Sequence, residues 1–168
     1  MENKPEMYRK ILIPTDGSKT SEKAVGHALN IAENFDSEVH ILYVIDLKAM
    51  DLALGTEQVE RIKQGRFSEM PDIKRRVKEA TGRIAERAKE RGLDAVEKIE
   101  VDTPYRKIVE YSKENDIDLI VMGSHGRSGF RRMILGSVSE RVLRLSEIPV
   151  LIVTGVLEDT EESVENTN

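Results

Sequence analysis

The 168-residue chain contains no cysteine, which removes disulfides, thiolate metal centres and cysteine nucleophiles at once. It has no tryptophan and only 4% aromatic residues, too few for a stacking platform that holds single-stranded nucleic acid. No apolar run approaches the length needed to cross a bilayer. Met1 to Lys10 is charged and lacks the apolar stretch of a secretory signal, so a cytoplasmic protein without membrane contact is expected. Two phosphate-loop patterns are missing as well. Neither G-x-x-x-x-G-K-[ST] nor G-x-G-x-x-G occurs, so neither the P-loop signature nor the dinucleotide fingerprint is present.

What is there is a globular composition, 39% apolar and 34% charged, in a length that suits one domain with a substantial core. Glu158, Asp159, Glu161, Glu162 and Glu165 fall in a stretch from Gly155 to Asn168 that has no Lys or Arg. These five carboxylates account for the whole formal net charge of −5. The remaining body is formally neutral, a poor match to duplex DNA, so no nucleic-acid partner is expected. Residues 1–154 read as a single nucleotide-binding domain, and 155–168 as an acidic tail too polar to bury much surface and expected to be disordered.

Short β-branched runs alternate with segments of helical period, the pattern of βα units around a parallel sheet. Ile11–Ile13 reads as the first strand, followed by a helix from Ser18 to Phe35 with Ala24, Ala28, Ile31 and Phe35 on one face. Val39–Ile45 is a second strand, apolar enough to be covered on both faces. Asp46 to Pro71 is too long for a plain βα loop. A short helix over Thr56–Lys63 would fit inside it, and the segment reads equally as a lid, a partner surface or a tolerated insertion.

A helix from Asp72 presents Ile73, Val77, Ala80, Ile84 and Ala88, and stops at Gly92. The more polar Ala95–Val101 suits an edge strand. Thr103-Pro104 reads as N-cap and first-turn proline of a helix to Asn115. Asp118–Met122 is the fourth strand, Val138–Ser146 a helix and Pro149–Val153 the fifth strand. The fold class expected is α/β: a Rossmann-like, open, five-stranded parallel sheet with helices on both faces, for which the order 3-2-1-4-5 would place strands one and four on either side of the ligand crevice.

Between the fourth strand and the last helix lies Gly123-Ser-His-Gly126-Arg-Ser-Gly129, with Gly136-Ser137 further on. Glycines let backbone amides approach an oxyanion, and a helix start adds unpaired N–H groups. Ser137 can act as N-cap with Glu140 completing a capping box, an arrangement that needs no ligand. The glycines exceed what that requires, and phosphate binding is expected here. Arg127, directly after Gly126, is the first of three arginines that either pair with phosphate or form a solvated loop. Across the crevice, Asp16 either contacts a ligand or a metal, or serves the next helix as N-cap or Asx turn.

The spacing Gly123-x2-Gly126-x9-Gly136-Ser137, with Ile11-Leu-Ile-Pro-Thr-Asp-Gly-Ser18 before it and Pro149-Val-Leu-Ile-Val153 after it, closely resembles the ATP-binding branch of the universal stress proteins. The resemblance covers Lys10 to Val153. It implies a stress-response and signalling homodimer with little or no turnover, binding ATP with Mg²⁺ or Mn²⁺ bridging the phosphates. The alternative is a slow ATP hydrolase or nucleotidyl-transferring enzyme. By position, Pro14, Thr15 and Asp16 would lie beside the adenosine, and Val44 would contact adenine through its backbone. Met122 and Gly123 would border ribose and phosphates, and Gly126, Gly136, Ser137, Val138 and Ser139 would cradle the phosphates. No metal-ligating or catalytic side chain is assigned. His125 reads as a loop-shaping or phosphate-approaching residue.

The fifth strand, Val150–Val153, is apolar and lies at a sheet edge in this order, so pairing across a twofold axis would cover it, as the resemblance also implies. A protein partner is expected but has no signal that identifies it.

Overall fold

A computed structural model describes residues 7–125 and 135–154. Five parallel strands follow the expected order. They are β1 (Lys10–Thr15), β2 (Glu38–Asp46), β3 (Ala95–Asp102), β4 (Leu119–Gly123) and β5 (Val150–Val153), arranged β3-β2-β1-β4-β5. The helices are α1 (Lys19–Phe35), α2 (Leu47–Leu54), α3 (Thr56–Lys63), α4 (Pro71–Glu90), α5 (Pro104–Glu114) and α6 (Ser137–Leu145), with a 3₁₀ turn at Arg66–Glu69.

Strand alternation divides the core into two layers. Ile11, Ile13, Val39, Ile41, Leu119 and Val121 face α1 and α4. Leu12, Leu42, Ile120 and Met122 face α5 and α6. The central strands are buried on both sides, which explains their nearly unbroken apolar runs. His40 also points to the α5 side. It is held between Tyr111 Oη, 2.8 Å from Nδ1, and the Glu38 carboxylate on Nε2.

Helix α1 buries Ala24, Val25, Ala28, Leu29 and Ala32. This face is turned from the expected one, which ran through Ile31 and Phe35. Both of those are only half-buried at the margin, where the Tyr8 ring meets Phe35 edge-on at 5.2 Å. The small alanines let α1 sit close to the sheet.

The segment after β2 holds the expected helix over Thr56–Lys63 and one unforeseen helix, α2. Asp46 Oδ1 caps α2 by accepting from the N–H groups of Lys48 and Ala49. Ile62 of α3 and Ile73 and Val77 of α4 pack on Tyr43 and Ile45, fastening the segment to the carboxyl end of β2. Thr103 occupies the N-cap position of α5, but its hydroxyl caps nothing, because it bonds to Asp102 Oδ1 instead.

Candidate functional site

In an open parallel sheet, ligands bind outside the carboxyl ends of the strands where the order reverses. That point lies between β1 and β4, which end at Thr15 and Gly123. A cavity of about 430 Å³ opens there, within the roughly 300–1,000 Å³ span of small-molecule pockets.

The β1 end supplies Pro14, Thr15 and Asp16. Asp16 forms the Asx turn: its Oδ1 accepts from the Ser18 N–H at 2.9 Å. The N-cap role falls to Ser18, whose Oγ accepts from the Ser21 N–H at 3.2 Å. The buried Thr15 hydroxyl accepts from the Gly17 N–H at 3.1 Å and from Ser21 Oγ at 2.8 Å, which fixes the turn from below. Val44 lines the next wall. The β1 ladder ends at the Thr15–Tyr43 pair, so β1 gives Val44 no partner and its backbone edge is left toward the cavity.

Met122 and Gly123 close the β4 side. A Cβ at Gly123 would stand 3.0 Å from the backbone carbon and oxygen of Thr20, so close packing on α1 already requires glycine there. Gly136, Ser137, Val138 and Ser139 form the opposite wall at the start of α6.

The Ser137–Glu140 capping box does not form. Gly136 is the N-cap residue, no side chain caps the helix, and Ser137 is its first residue. The cause is a long-range clamp. Ser124 C=O accepts both the Gly136 N–H and Ser139 Oγ–H at 2.7 Å, and Ser139 Oγ also lies 2.9 Å from the Gly136 carbonyl. These bonds hold Gly136 extended and leave the first-turn N–H groups without a side-chain acceptor. The Ser139 hydroxyl is therefore engaged with the chain itself.

The expected residues Gly126 and Arg127 lie outside the described residues, as do Gly129, Arg131 and Arg132. The other ten expected site residues all line the one cavity. Sequence reasoning missed the walls contributed by Asp46, Ala49 and Met50 around α2 and by Pro104 and Ile108 of α5. Asp46 had a readable signal, since it ends β2 much as Asp16 follows β1. The α2 and α5 walls had none.

Asp16 and Asp46 line the cavity, and no Lys or Arg does so among the described residues. Beside them, Asp102 pairs with Asp46 in the β2–β3 register. The Thr103 backbone N–H, 2.6 Å from its Oδ1, is the main cause that holds the Asp102 carboxyl below the usual carboxylate range. No cluster of three or more metal-ligating side chains occurs among the described residues.

Residues 7–154 match the Universal stress protein family. The chain belongs to that family. It is 38% identical to Universal stress protein MJ0531 of Methanocaldococcus jannaschii, over 90% of this chain and 85% of the relative. The solved structure of protein MJ0577 of the same organism superposes with a TM-score of 0.70 at 32% identity, covering 89% of this chain and 97% of the other. A universal stress protein solved in complex with cAMP superposes with a TM-score of 0.61 at 28% identity, over 89% of this chain and 98% of that one. The parallel sheet in the order 3-2-1-4-5 is thus a universal stress protein fold. None of the described helices is long and apolar enough to cross a membrane.

Proposed function

We propose that this universal stress protein binds ATP in the cavity between β1 and β4 and acts as a nucleotide-dependent signalling protein rather than an enzyme. The observation that carries the reading is the cavity lining, which unites the Asp16 turn, the Val44 edge and the open start of α6. In this reading adenine lies along Val44, with Pro14, Thr15 and Asp16 beside the adenosine and Met122 and Gly123 between ribose and phosphates. The phosphates meet the amides of Gly136, Ser137, Val138 and Ser139, with Gly126 and Arg127 completing the cradle. Helix N-termini favour anions in this way.

A divalent ion fits as part of a nucleotide complex. Mg²⁺ characteristically takes one or two carboxylates plus substrate phosphates, and the cavity lining includes Asp16 and Asp46. An ion of this kind, or Mn²⁺, would offset charge on the phosphates.

Holding rather than turnover is favoured because the nearby carboxylates serve the backbone. Asp16 Oδ1 accepts from Ser18 and Asp46 Oδ1 from Lys48 and Ala49, so each carboxylate already has a structural role at its turn or helix cap. Slow ATP hydrolysis or nucleotidyl transfer is the competing reading. Turnover well above about 1 per second would replace the first reading with the second.

The test is calorimetric titration of ATP with and without Mg²⁺, together with mass spectrometry of any co-purifying nucleotide. Binding that saturates below millimolar ATP is expected, and no binding at millimolar ATP overturns the reading. The relative in complex with cAMP favours cAMP as a second candidate ligand. A cAMP affinity above that for ATP would select it.

The same reading includes a homodimer through β5. Among the described residues β5 pairs only with β4 and carries no charge, and its Leu151 is exposed. The other edge, β3, is blunted by Glu97, Lys98 and Glu100.

A further inference from the structure

We infer that the outer face of α1 and the adjoining side of α4 form a cationic track that receives this chain's own acidic segment, residues 155–168. The four cations of the track are Lys19, Lys23, Arg76 and Arg83. None of them lines the cavity, so the surface stands apart from the nucleotide reading.

Two helices that lie side by side build the track. Ala24, Val25 and Ala28 of α1 and Ile84 and Ala88 of α4 share one core layer, and Arg87 of α4 meets Glu22 of α1 at 3.1 Å. At 3.6 residues per turn, Arg76, Arg83 and Arg87 fall within about 40° of one another around α4. Arg76 and Arg83 therefore continue, toward the start of α4, the side that Arg87 turns to α1. On α1, Lys19 and Lys23 are about one turn apart. All four of these side chains are exposed.

Among the described residues, none of the four has a carboxylate within ion-pair distance. Arg87 takes Glu22, Arg91 takes Glu33 and Arg75 takes Asp72, while Glu79 and Glu86 on the outer side of α4 compensate only in part. Arg83 uses only its Nε, on the Glu79 carbonyl at 2.8 Å. The α5 side of the sheet is different. There Lys107, Lys113 and Arg144 hold carboxylates, and Arg141 lies over the Tyr105 ring.

Chain path and charge choose the occupant. Val153 packs against the same core layer as α1, and β5 lies two strands from β1, whose end leads into α1. Two strand spacings are about 10 Å. Glu158, four residues past Thr154, is reached by up to about 14 Å of extended chain, and Glu165, eleven past it, by up to about 40 Å. The first carboxylates thus reach Lys19 and Lys23, and the later ones reach Arg83 and Arg76. The segment supplies Glu158, Asp159, Glu161, Glu162 and Glu165 with no Lys or Arg. Its covalent attachment keeps these charges beside the track at an effective concentration of millimolar order.

Because the chain has no cysteine, Thr160→Cys gives a single attachment point for a nitroxide and spares all five carboxylates. In the full-length, nitrogen-15-labelled protein at low salt, the amide signals of Lys19–Lys23 and Arg76–Arg83 should broaden relative to the reduced label. Those of Lys107–Lys113 on α5 should stay sharp. The broadening should vanish near 1 M NaCl, where the screening length falls to about 3 Å. It should vanish equally when Lys19, Lys23, Arg76 and Arg83 are all replaced by Gln, and when the five carboxylates are replaced by their amides.

Broadening confined to the residues next to Val153, or centred on α5, would overturn the inference. So would broadening that survives 1 M NaCl or the fourfold Gln variant. Equal broadening of an unmodified nitrogen-15 chain by a spin-labelled second chain would also overturn it, since the acceptor would then be another copy.

Discussion

The Gly123 Cα points at the Thr20 backbone so closely that a Cβ would stand 3.0 Å from its carbonyl carbon and oxygen. Thr20 cannot retreat easily, because it lies in the first turn of α1 between the Ser18 cap and the Ser21–Thr15 hydroxyl bond. Gly123→Ala should therefore cost about 1–3 kcal/mol of stability, as overpacking does. Gly82 makes the control. It lies in α4, has no positive φ and leaves nothing within 4 Å of an added Cβ. Gly82→Ala should stabilise by about 0.5–1 kcal/mol. Urea unfolding of both variants checks the pair, and equal effects would refute the packing account of Gly123.

Outside the cavity lining, His40 and Tyr111 form a buried polar contact at 2.8 Å. Burial is the main cause that pushes the Tyr111 hydroxyl pKa up, so it remains a hydrogen-bond donor through ordinary pH. Tyr111→Phe leaves His40 Nδ1 without a partner and should cost about 1–3 kcal/mol. Adding His40→Leu should recover part of that loss, because the buried polar group goes with it and Glu38 retains access to solvent. A double variant less stable than Tyr111→Phe by the full cost of His40→Leu alone would show the two residues to be energetically independent.

These sites show how far local pattern reaches. The edge position of β3 could be read because it carries charge along its length while the middles of β1, β2 and β4 are apolar; β5 is an equally apolar edge, so its place did not follow from composition. The two sides of the cavity could be read because glycines, prolines and Asp16 mark strand ends. The Ser137–Glu140 pattern misled because a Ser-x-x-Glu spacing does not itself fix which residue becomes the N-cap. What set the register was Ser124, distant in the chain, whose carbonyl takes the Gly136 N–H. Helix α2 was hidden for a different reason: its sequence is largely apolar yet none of its residues is buried, so no polar face marks it. The α5 wall depends on a crossover that local periodicity does not encode.

Asp102 sets an acid limit. Its carboxyl pKa is lowered chiefly by the Thr103 backbone N–H, so its folded value lies below its unfolded one. A depressed carboxyl stabilises the fold above the unfolded value and loses that contribution as pH falls through the folded value. Asp102→Asn should thus be less stable than wild type near neutrality, and the gap should close as pH drops below about 4, the ordinary aspartate range. Thermal melts of both proteins from pH 7 to 2.5 measure the gap. A gap constant across that range would mean that the charge on Asp102 is not what Thr103 stabilises.

The two sheet edges supply a paired test of the proposed dimer. Leu151 on β5 and Val96 on β3 are both exposed apolar residues on outer strands, at 36% and 40%. They differ in their neighbours. Leu151 lies in a strand without charge, between Val150 and Ile152, whereas Val96 precedes Glu97 and Lys98. A twofold partner on β5 would bury Leu151 and extend the sheet, while the charges on β3 oppose the same pairing there. Leu151→Asp should raise the dimer dissociation constant by about a hundredfold or more, since an unpaired carboxylate would have to be buried. Val96→Asp should leave it unchanged. Sedimentation equilibrium across micromolar concentrations reads both constants, and a wild type that is monomeric throughout, or a dimer lost through Val96→Asp instead, would move the interface away from β5.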